Sequence, residues 1–101
     1  MGLLKETSTD NILIKNGFES RDESIIGTLK FCYTKFIPVS SLYDAFVSVD
    51  LDGNVEIYVE YECGGEVSTI HTHINTDWDY DKEGFFNELD ETVTFFLETY
   101  K

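Results

Sequence analysis

The sequence predicts one α+β domain, in which an antiparallel sheet of three to four strands carries a C-terminal helix on one face. Two observations predict this fold class. Apolar residues alternate with polar ones through residues 44–75, which is typical of a meander of half-buried strands. They recur at helical spacing through residues 82–100, which is typical of a helix that packs by one side. Because 101 residues suffice for one modest core, residues 1–101 are expected to form a single domain.

Near the N-terminus, the segment 12–14 suits either of two structures. Thr9 or Asp10 would cap a short helix there, with Asn16-Gly17 as a left-handed stop. The same apolar residues would also suit a strand that leads into an Asn-Gly turn. We favour the short helix, and we expect the segment 19–24 to form a solvated loop.

The segment 28–36 fits two periodicities, since its apolar residues recur at helical spacing and also at every second position. It is therefore either a helix or an additional strand. Its aromatic and threonine residues, together with Gly27, favour the strand. The connection through residues 37–42 contains the only proline, Pro38, and would return the chain antiparallel into the meander.

The first hairpin of the meander is determined by the parity of its two strands. A two-residue turn at Asp52-Gly53 would place Val49 opposite Glu56, which mixes apolar and acidic side chains on one face. A three-residue loop, Leu51-Asp52-Gly53, instead pairs Val49 with Val55 and keeps the apolar rows together. The sequence therefore predicts the three-residue loop, with Gly53 in the left-handed conformation.

The second hairpin is expected to close through Gly64-Gly65 as a two-residue primed turn. This turn again keeps apolar side chains on one face of the sheet. The cross-strand pairs that it predicts are Val59 with Ile70, Ile57 with Thr72, Glu56 with His73 and Tyr58 with His71.

The C-terminal helix is predicted from Lys82 to Tyr100, with Asp79 or Asp81 as its N-cap. Acidic residues in the first turn favour this helix because they oppose the positive end of its dipole. Phe95 falls outside the apolar stripe. The stripe that should pack on the sheet consists of Phe85, Phe86, Leu89, Val93, Phe96, Leu97 and Tyr100.

The net charge of −13 is distributed very unevenly along the chain. Acids and bases balance over residues 1–36, whereas the remainder holds 15 acids against Lys82 and Lys101 alone. Such a surface repels nucleic acid and anionic membranes and attracts basic partners. We therefore expect the protein to bind neither nucleic acid nor a membrane directly. We expect its partner to be a protein that presents a basic groove. The sequence contains no long apolar run and no leader pattern, so a cytoplasmic location in a host cell is expected.

Catalytic motifs are missing from the sequence. Glu56 and Glu60 are paired carboxylates, but neither a nucleophile motif nor a glycine-rich phosphate loop accompanies them. The sequence therefore favours a protein that is not an enzyme and needs no cofactor. His71-Thr72-His73 near these carboxylates is a geometry that a metal ion can use. A single His-x-His is a weak signal, so we favour exposed histidines without a metal.

Acidic and aromatic residues of the meander and of the helix entry are the candidates for contact with a partner. Tyr58 and Trp78 would supply contact area, and the carboxylates around them would steer the approach of a basic protein. The predicted partner-binding residues are Glu56, Tyr58, Glu60, Asp77, Trp78, Asp79 and Asp81.

The chain also resembles a known family through its Asp-Gly-Asn hairpin and the start of its last helix. The residues concerned are Val49, Asp52-Gly53-Asn54, Tyr80, Phe85-Phe86-Asn87-Glu88-Leu89 and Thr92-Val93-Thr94. In an acidic chain of this size, they resemble the small phage-encoded type II-A anti-CRISPR proteins, which occupy a Cas9 nucleic-acid site as DNA mimics. The resemblance implies an inhibitor of a host nucleic-acid-binding defence enzyme, possessing an acidic DNA-mimic surface that binds a basic groove.

The resemblance covers a minority of the chain, and the sequence departs from the family's pattern in two ways. This sequence adds a strand before the meander and has a longer aromatic final helix, so no single residue's role is carried over. The alternative function, from a different class, is a non-enzymatic accessory or immunity-type protein-binding domain with no link to nucleic-acid sites.

Overall fold

The computed structural model describes residues 11–20 and 33–101. Within them, five antiparallel strands form one open sheet in the order β1-β2-β3-β4-β5, and one long helix packs on a face of that sheet. The α+β class is confirmed, although the sheet has five strands where three to four are predicted. The elements are α1 (Ile12–Lys15), β1 (Glu19–Ser20), β2 (Tyr33–Pro38), β3 (Tyr43–Val49), β4 (Asn54–Tyr61), β5 (Glu66–His73) and α2 (Lys82–Leu97).

The N-terminal segment forms the short helix α1, as favoured, rather than a strand. Its N-cap is Asn11, whose side-chain oxygen accepts a hydrogen bond from the N–H of Leu13 at 2.8 Å. The predicted caps, Thr9 and Asp10, lie outside the described residues. Gly17 ends the helix as predicted, with a φ of +95° that a glycine adopts without strain.

The strands before the meander differ partly from expectation. Glu19–Ser20, predicted as part of a loop, form the edge strand β1 and pair with the start of β2. β2 confirms the strand interpretation of the segment 28–36 from Tyr33 onward, whereas residues 21–32 lie outside the description. The strand continues to Pro38. The proline is tolerated because the next residue, Val39, donates its N–H to Tyr43, so the nitrogen of Pro38 points away from β3.

The first hairpin has the predicted register, in which Val49 lies directly opposite Val55. Gly53 adopts a φ of +98° and donates its N–H to the carbonyl of Asp50 at 3.1 Å, which closes the three-residue loop. A Cβ at this position would lie 2.7 Å from the carbonyl oxygen of Ile74. Glycine is therefore required here by backbone conformation and by space.

The second hairpin does not have the predicted two-residue turn. The N–H of Gly64 donates to the carbonyl of Tyr61 at 2.8 Å, and the N–H of Tyr61 donates to the carbonyl of Gly65 at 3.0 Å. This is the same three-residue loop as in the first hairpin, with Gly64 at a φ of +106° in the position of Gly53. A β-bulge follows, in which Val67 is the extra residue of β5.

The loop and the bulge together shift the pairing of β5 by two residues. Because a shift of two keeps every side chain on its own face, the apolar face is preserved while each predicted neighbour changes. The corrected pairs are Ile57 with Ile70, Val55 with Thr72, Glu56 with His71 and Tyr58 with Thr69.

The helix α2 begins at Lys82 and is capped by Asp81, whose carboxylate accepts the N–H of Gly84 at 2.9 Å. It ends at Leu97, and a 3-10 turn continues to Tyr100. Phe95 points away from the core and is 83% exposed. None of the helices in the described part of the chain has the length and apolarity needed to cross a membrane. The core residues on the helix-facing side of the sheet are Ala45, Val47, Val49, Val55, Ile57 and Val59, and those of α2 are Phe85, Leu89, Val93 and Leu97.

Candidate interaction surface

The face of the sheet opposite α2, called the outer face here, carries its side chains in three rows that run across the strands. These rows follow from the registers of β2 to β5. The aromatic row consists of Phe36, Phe46 and Tyr58 and ends at Thr69. The acidic row consists of Asp44, Glu60 and Glu66. The third row consists of Thr34, Ser48, Glu56 and His71.

The aromatic row places exposed rings side by side across three strands. The ring centroids of Phe36 and Phe46 lie 5.1 Å apart, and those of Phe46 and Tyr58 lie 6.1 Å apart. Phe36 is 51% exposed and Phe46 is 38% exposed. A contiguous apolar patch bordered by polar residues is typical of a protein-binding surface.

The acidic row places three carboxylates on adjacent strands. Asp44 lies directly opposite Glu60, and Glu60 lies directly opposite Glu66. Strands in a sheet lie about 4.8 Å apart, so like charges in these positions repel and destabilise the sheet. Among the described residues, no Lys, Arg or His forms an ion pair with any of the three. In the described part of the chain, side-chain hydrogen bonds to this row come from the hydroxyl groups of Tyr58 and Thr69, which do not neutralise its charge.

Tyr58 connects the aromatic row to the acidic row. Its hydroxyl donates a hydrogen bond to Glu60 Oε1 at 3.4 Å. Desolvation raises the pKa of Tyr58, and the negative charges of Glu60 and Glu66 raise it further. The phenol therefore stays protonated at neutral pH and keeps its proton for donation.

In the third row, a histidine contacts a carboxylate, and this is the only such contact among the described residues. His71 Nε2 lies 3.1 Å from Glu56 Oε1. His73, predicted to lie beside Glu56, is instead opposite Asn54 because of the corrected register. Within the described residues, no three His, Cys, Asp or Glu side chains come together as metal ligands.

The acids of the helix entry lie apart from these rows. Asp77 and Asp79 line a shallow depression at the end of the sheet, together with Asp52 of the first hairpin loop. The carboxylate of Asp77 accepts the N–H of Asp79 at 2.8 Å. Asp81 caps α2. The structure thus brings Glu56, Tyr58 and Glu60 together on the outer face, but it places the loop acids at a separate position.

Trp78 is a correction to the predicted surface. It is only 2% exposed and packs edge-on against Phe85, with the ring centroids 5.3 Å apart. The ammonium group of Lys82 lies 5.1 Å from the centre of the indole ring and covers it from outside. Trp78 therefore belongs to the core, and the prediction that it contacts a partner is wrong.

Four residues of the outer face are absent from the predicted partner-binding residues. Phe46 alternates with core residues along β3, so its aromatic ring at an outward position was a signal that the sequence already contained. Phe36 was not assigned to a face of the sheet because its segment, 28–36, fitted both a helix and a strand. Asp44 lies opposite Glu60 in the same register that pairs Val49 with Val55, so the predicted first hairpin already implied that pair, whereas Glu66 reaches Glu60 only through the bulge at Val67.

Comparisons with known proteins add no family to this description. A scan against protein-family models, a search of curated proteins and a search of solved structures each found no match. The resemblance to anti-CRISPR proteins therefore stays a prediction from the residues that carry it.

Proposed function

We propose that this protein is a phage or mobile-element inhibitor of a host nucleic-acid-binding defence enzyme, and that its outer face binds a basic groove of that enzyme. The observation that carries the proposal is the acidic row of Asp44, Glu60 and Glu66. Three adjacent like charges lower the stability of the sheet. Positions where a sequence breaks such a rule are often functional.

A basic groove would relieve the repulsion within the acidic row. Lys and Arg side chains of a nucleic-acid channel are spaced for a polyanion with one charge every few ångströms. Carboxylates of the acidic row lie on adjacent strands, about 4.8 Å apart, and Glu56 lies about 13 Å from Glu60 along β4. The outer face therefore offers carboxylates at intervals that such a groove accepts.

The aromatic row supplies the contact area that carboxylates alone do not. Arginine guanidinium groups of a partner can stack on aromatic rings, and the exposed rings of Phe36 and Phe46 lie in the row next to the carboxylates. Aromatic residues near the centre of an interface typically dominate its binding energy. Asp77 and Asp79, at the end of the sheet, add long-range attraction that speeds the encounter.

The protein has no affinity of its own for DNA or RNA, because its net charge of −13 opposes contact with phosphates. It competes with nucleic acid for the enzyme. It acts by binding and not by catalysis. It works in the cytoplasm of the host cell, where the enzyme meets invading nucleic acid.

The proposal is tested by capture of the partner from host lysate with a tagged protein. The test variant reverses the acidic row, and it should recover no nucleic-acid-binding protein. The control variant makes the same change in charge on the exposed side of α2, and it should recover as much as the unchanged protein. The test substitutions are Asp44→Lys, Glu60→Lys and Glu66→Lys, and the control substitutions are Asp90→Lys, Glu91→Lys and Glu98→Lys.

Equal recovery by both variants would contradict the outer face as the binding surface. A recovered partner with no nucleic-acid site would contradict the inhibitor assignment. In that case the accessory or immunity-type domain takes its place, because such a domain binds a basic protein that never meets nucleic acid.

A further inference from the structure

The strand β5 is an open edge of the sheet. It pairs with β4 on one side, and within the described residues no backbone group bonds to its other side. The N–H of Ile74 donates inward to the carbonyl of Gly53 at 2.7 Å. Since inward and outward groups alternate along an antiparallel strand, the N–H groups of Thr69, His71 and His73 point to the open edge.

This edge has few of the features that usually prevent strand addition. Natural edge strands are protected by lysine, proline, bulges or short length. β5 spans eight residues, contains neither lysine nor proline, and has its one bulge near the start, at Val67. The remaining six residues, Ser68 to His73, pair regularly with β4, and no other described segment bonds to the backbone groups on their outward side.

On the helix-facing side of this edge, Ile70 is the apolar residue between Ser68 and Thr72. Ile70 is only half-buried, and Phe95 of α2 is 83% exposed. Phe95 lies two helical turns after Glu88, so both side chains are on the same flank of α2. Glu88 accepts the N–H groups of Asn75 and Thr76, at 2.9 and 3.0 Å, directly after β5. The flank of α2 that carries Phe95 therefore lies on the side of β5.

On the outer side of the same edge, β5 carries Glu66 at its start and then Thr69, His71 and His73. The acidic row crosses β3 and β4 and ends at Glu66 on β5. A basic side chain on an added strand would continue this row with opposite charge, and cross-strand pairs of opposite charge stabilise a sheet. An added strand thus meets Ile70 and the α2 flank with Phe95 on one face and, at the Glu66 end, the acidic row on the other.

We infer that β5 accepts an extended segment of a partner protein as a sixth strand, and that this segment alternates Lys or Arg with apolar residues. Backbone hydrogen bonds would give the affinity, and the alternation would give the specificity. A second copy of the chain fits poorly, because it brings a further net charge of −13 and another Glu66 to an acidic edge. The inference concerns an edge rather than the outer face, and it goes beyond the proposed function.

The experiment uses the full chain and the peptide Lys-Val-Lys-Val-Lys-Val-Lys. Amide hydrogen exchange, followed by NMR, should show that the N–H groups of Thr69, His71 and His73 lose their fast exchange when the peptide is added. The N–H groups of Ile70 and Thr72 already pair with β4 and should change little. The peptide Glu-Val-Glu-Val-Glu-Val-Glu should leave all five amides unchanged.

Two variants with matched controls separate strand addition from charge attraction. His71→Pro removes one outward N–H and spares the inward ladder, since edge strands tolerate proline there. It should abolish the protection of Thr69 and His73, whereas His71→Ala should retain it. Phe95→Ser leaves the sheet untouched and should weaken peptide binding about tenfold, because an apolar contact of ~1.4 kcal/mol is lost. Phe95→Leu should bind as the unchanged protein does.

Three results would overturn the inference. The first is peptide binding that leaves the three outward amides in fast exchange. The second is equal protection by the basic and the acidic peptide. The third is protection of these amides without peptide, rising with protein concentration, because a second copy would then occupy the edge. None of these results bears on competition for a nucleic-acid groove, so the proposed function is judged separately.

Discussion

Asp44 lies directly opposite Glu60 on the neighbouring strand, and no described cation pairs with either carboxylate. Removal of one charge should therefore stabilise the free protein while it weakens binding to the partner. We expect Asp44→Asn to raise the free energy of unfolding by about 0.2 to 1 kcal/mol, as measured by urea denaturation. Asp90→Asn, on the exposed side of α2, serves as the control and should change the stability little. A less stable Asp44→Asn protein would show that the acidic row is not under repulsion.

The register of the central hairpin is tested by charges placed on opposite faces of β4. Ile57 is fully buried, so Ile57→Asp or Val59→Asp leaves an unpaired carboxylate between the sheet and α2. A loss of roughly 3 kcal/mol or more is expected, which is a large part of the stability of a small domain. Glu56→Gln, one residue away on the outer face, should remain folded by circular dichroism. Equal melting temperatures for Ile57→Asp and Glu56→Gln would contradict the register.

Glu88 should make the stability depend on pH, because its carboxylate holds the chain that leaves β5. The N–H of Asn75 is the main cause that lowers the pKa of Glu88; burial opposes this effect, and the hydroxyl and N–H of Thr76 add to it. Since the folded pKa lies below the unfolded one, the stabilisation is complete above the unfolded value and is lost as the pH falls through the folded value.

Urea denaturation between pH 7 and pH 2 measures this contribution. At pH 7, Glu88→Gln should be less stable than the unchanged protein by about 1 kcal/mol, since the carboxylate is partly solvated. The difference should shrink below about pH 4.3, the usual Glu value. Glu91→Gln, on the exposed surface of α2, serves as the control and should be as stable as the unchanged protein at pH 7. A difference between the Glu88 variant and the unchanged protein that stays constant down to pH 2 would contradict this role of Glu88.

The first hairpin and α2 could be predicted from the sequence because each has one structure that keeps its faces consistent. Only a three-residue loop at Gly53 aligns Val49 with Val55, and Asp81 stands where a cap is needed. The second hairpin had two consistent solutions. A two-residue turn and a three-residue loop with a bulge at Val67 leave the same residues on the core face, so burial alone does not distinguish them.

The candidate surface was predicted only in part, for related reasons. Glu56, Tyr58 and Glu60 follow from strand parity within one element. The acidic row depends on pairing between β3, β4 and β5, and the third member, Glu66, lies beyond the bulge. Trp78 is a single residue in a loop, where no periodicity indicates whether a side chain is buried. Its burial against Phe85 is a tertiary contact that no local pattern predicts.

The central claim is that the outer face takes the place of nucleic acid on a basic groove. The measurement is equilibrium competition, in which labelled nucleic acid bound to the captured partner is titrated with this protein. We expect complete displacement, with a midpoint that rises with the concentration of nucleic acid. The affinity of this protein for the partner should fall steeply with added salt. The variant with Asp44, Glu60 and Glu66 changed to lysine should displace nothing. Simultaneous binding of protein and nucleic acid, with neither changing the affinity of the other, would contradict the claim.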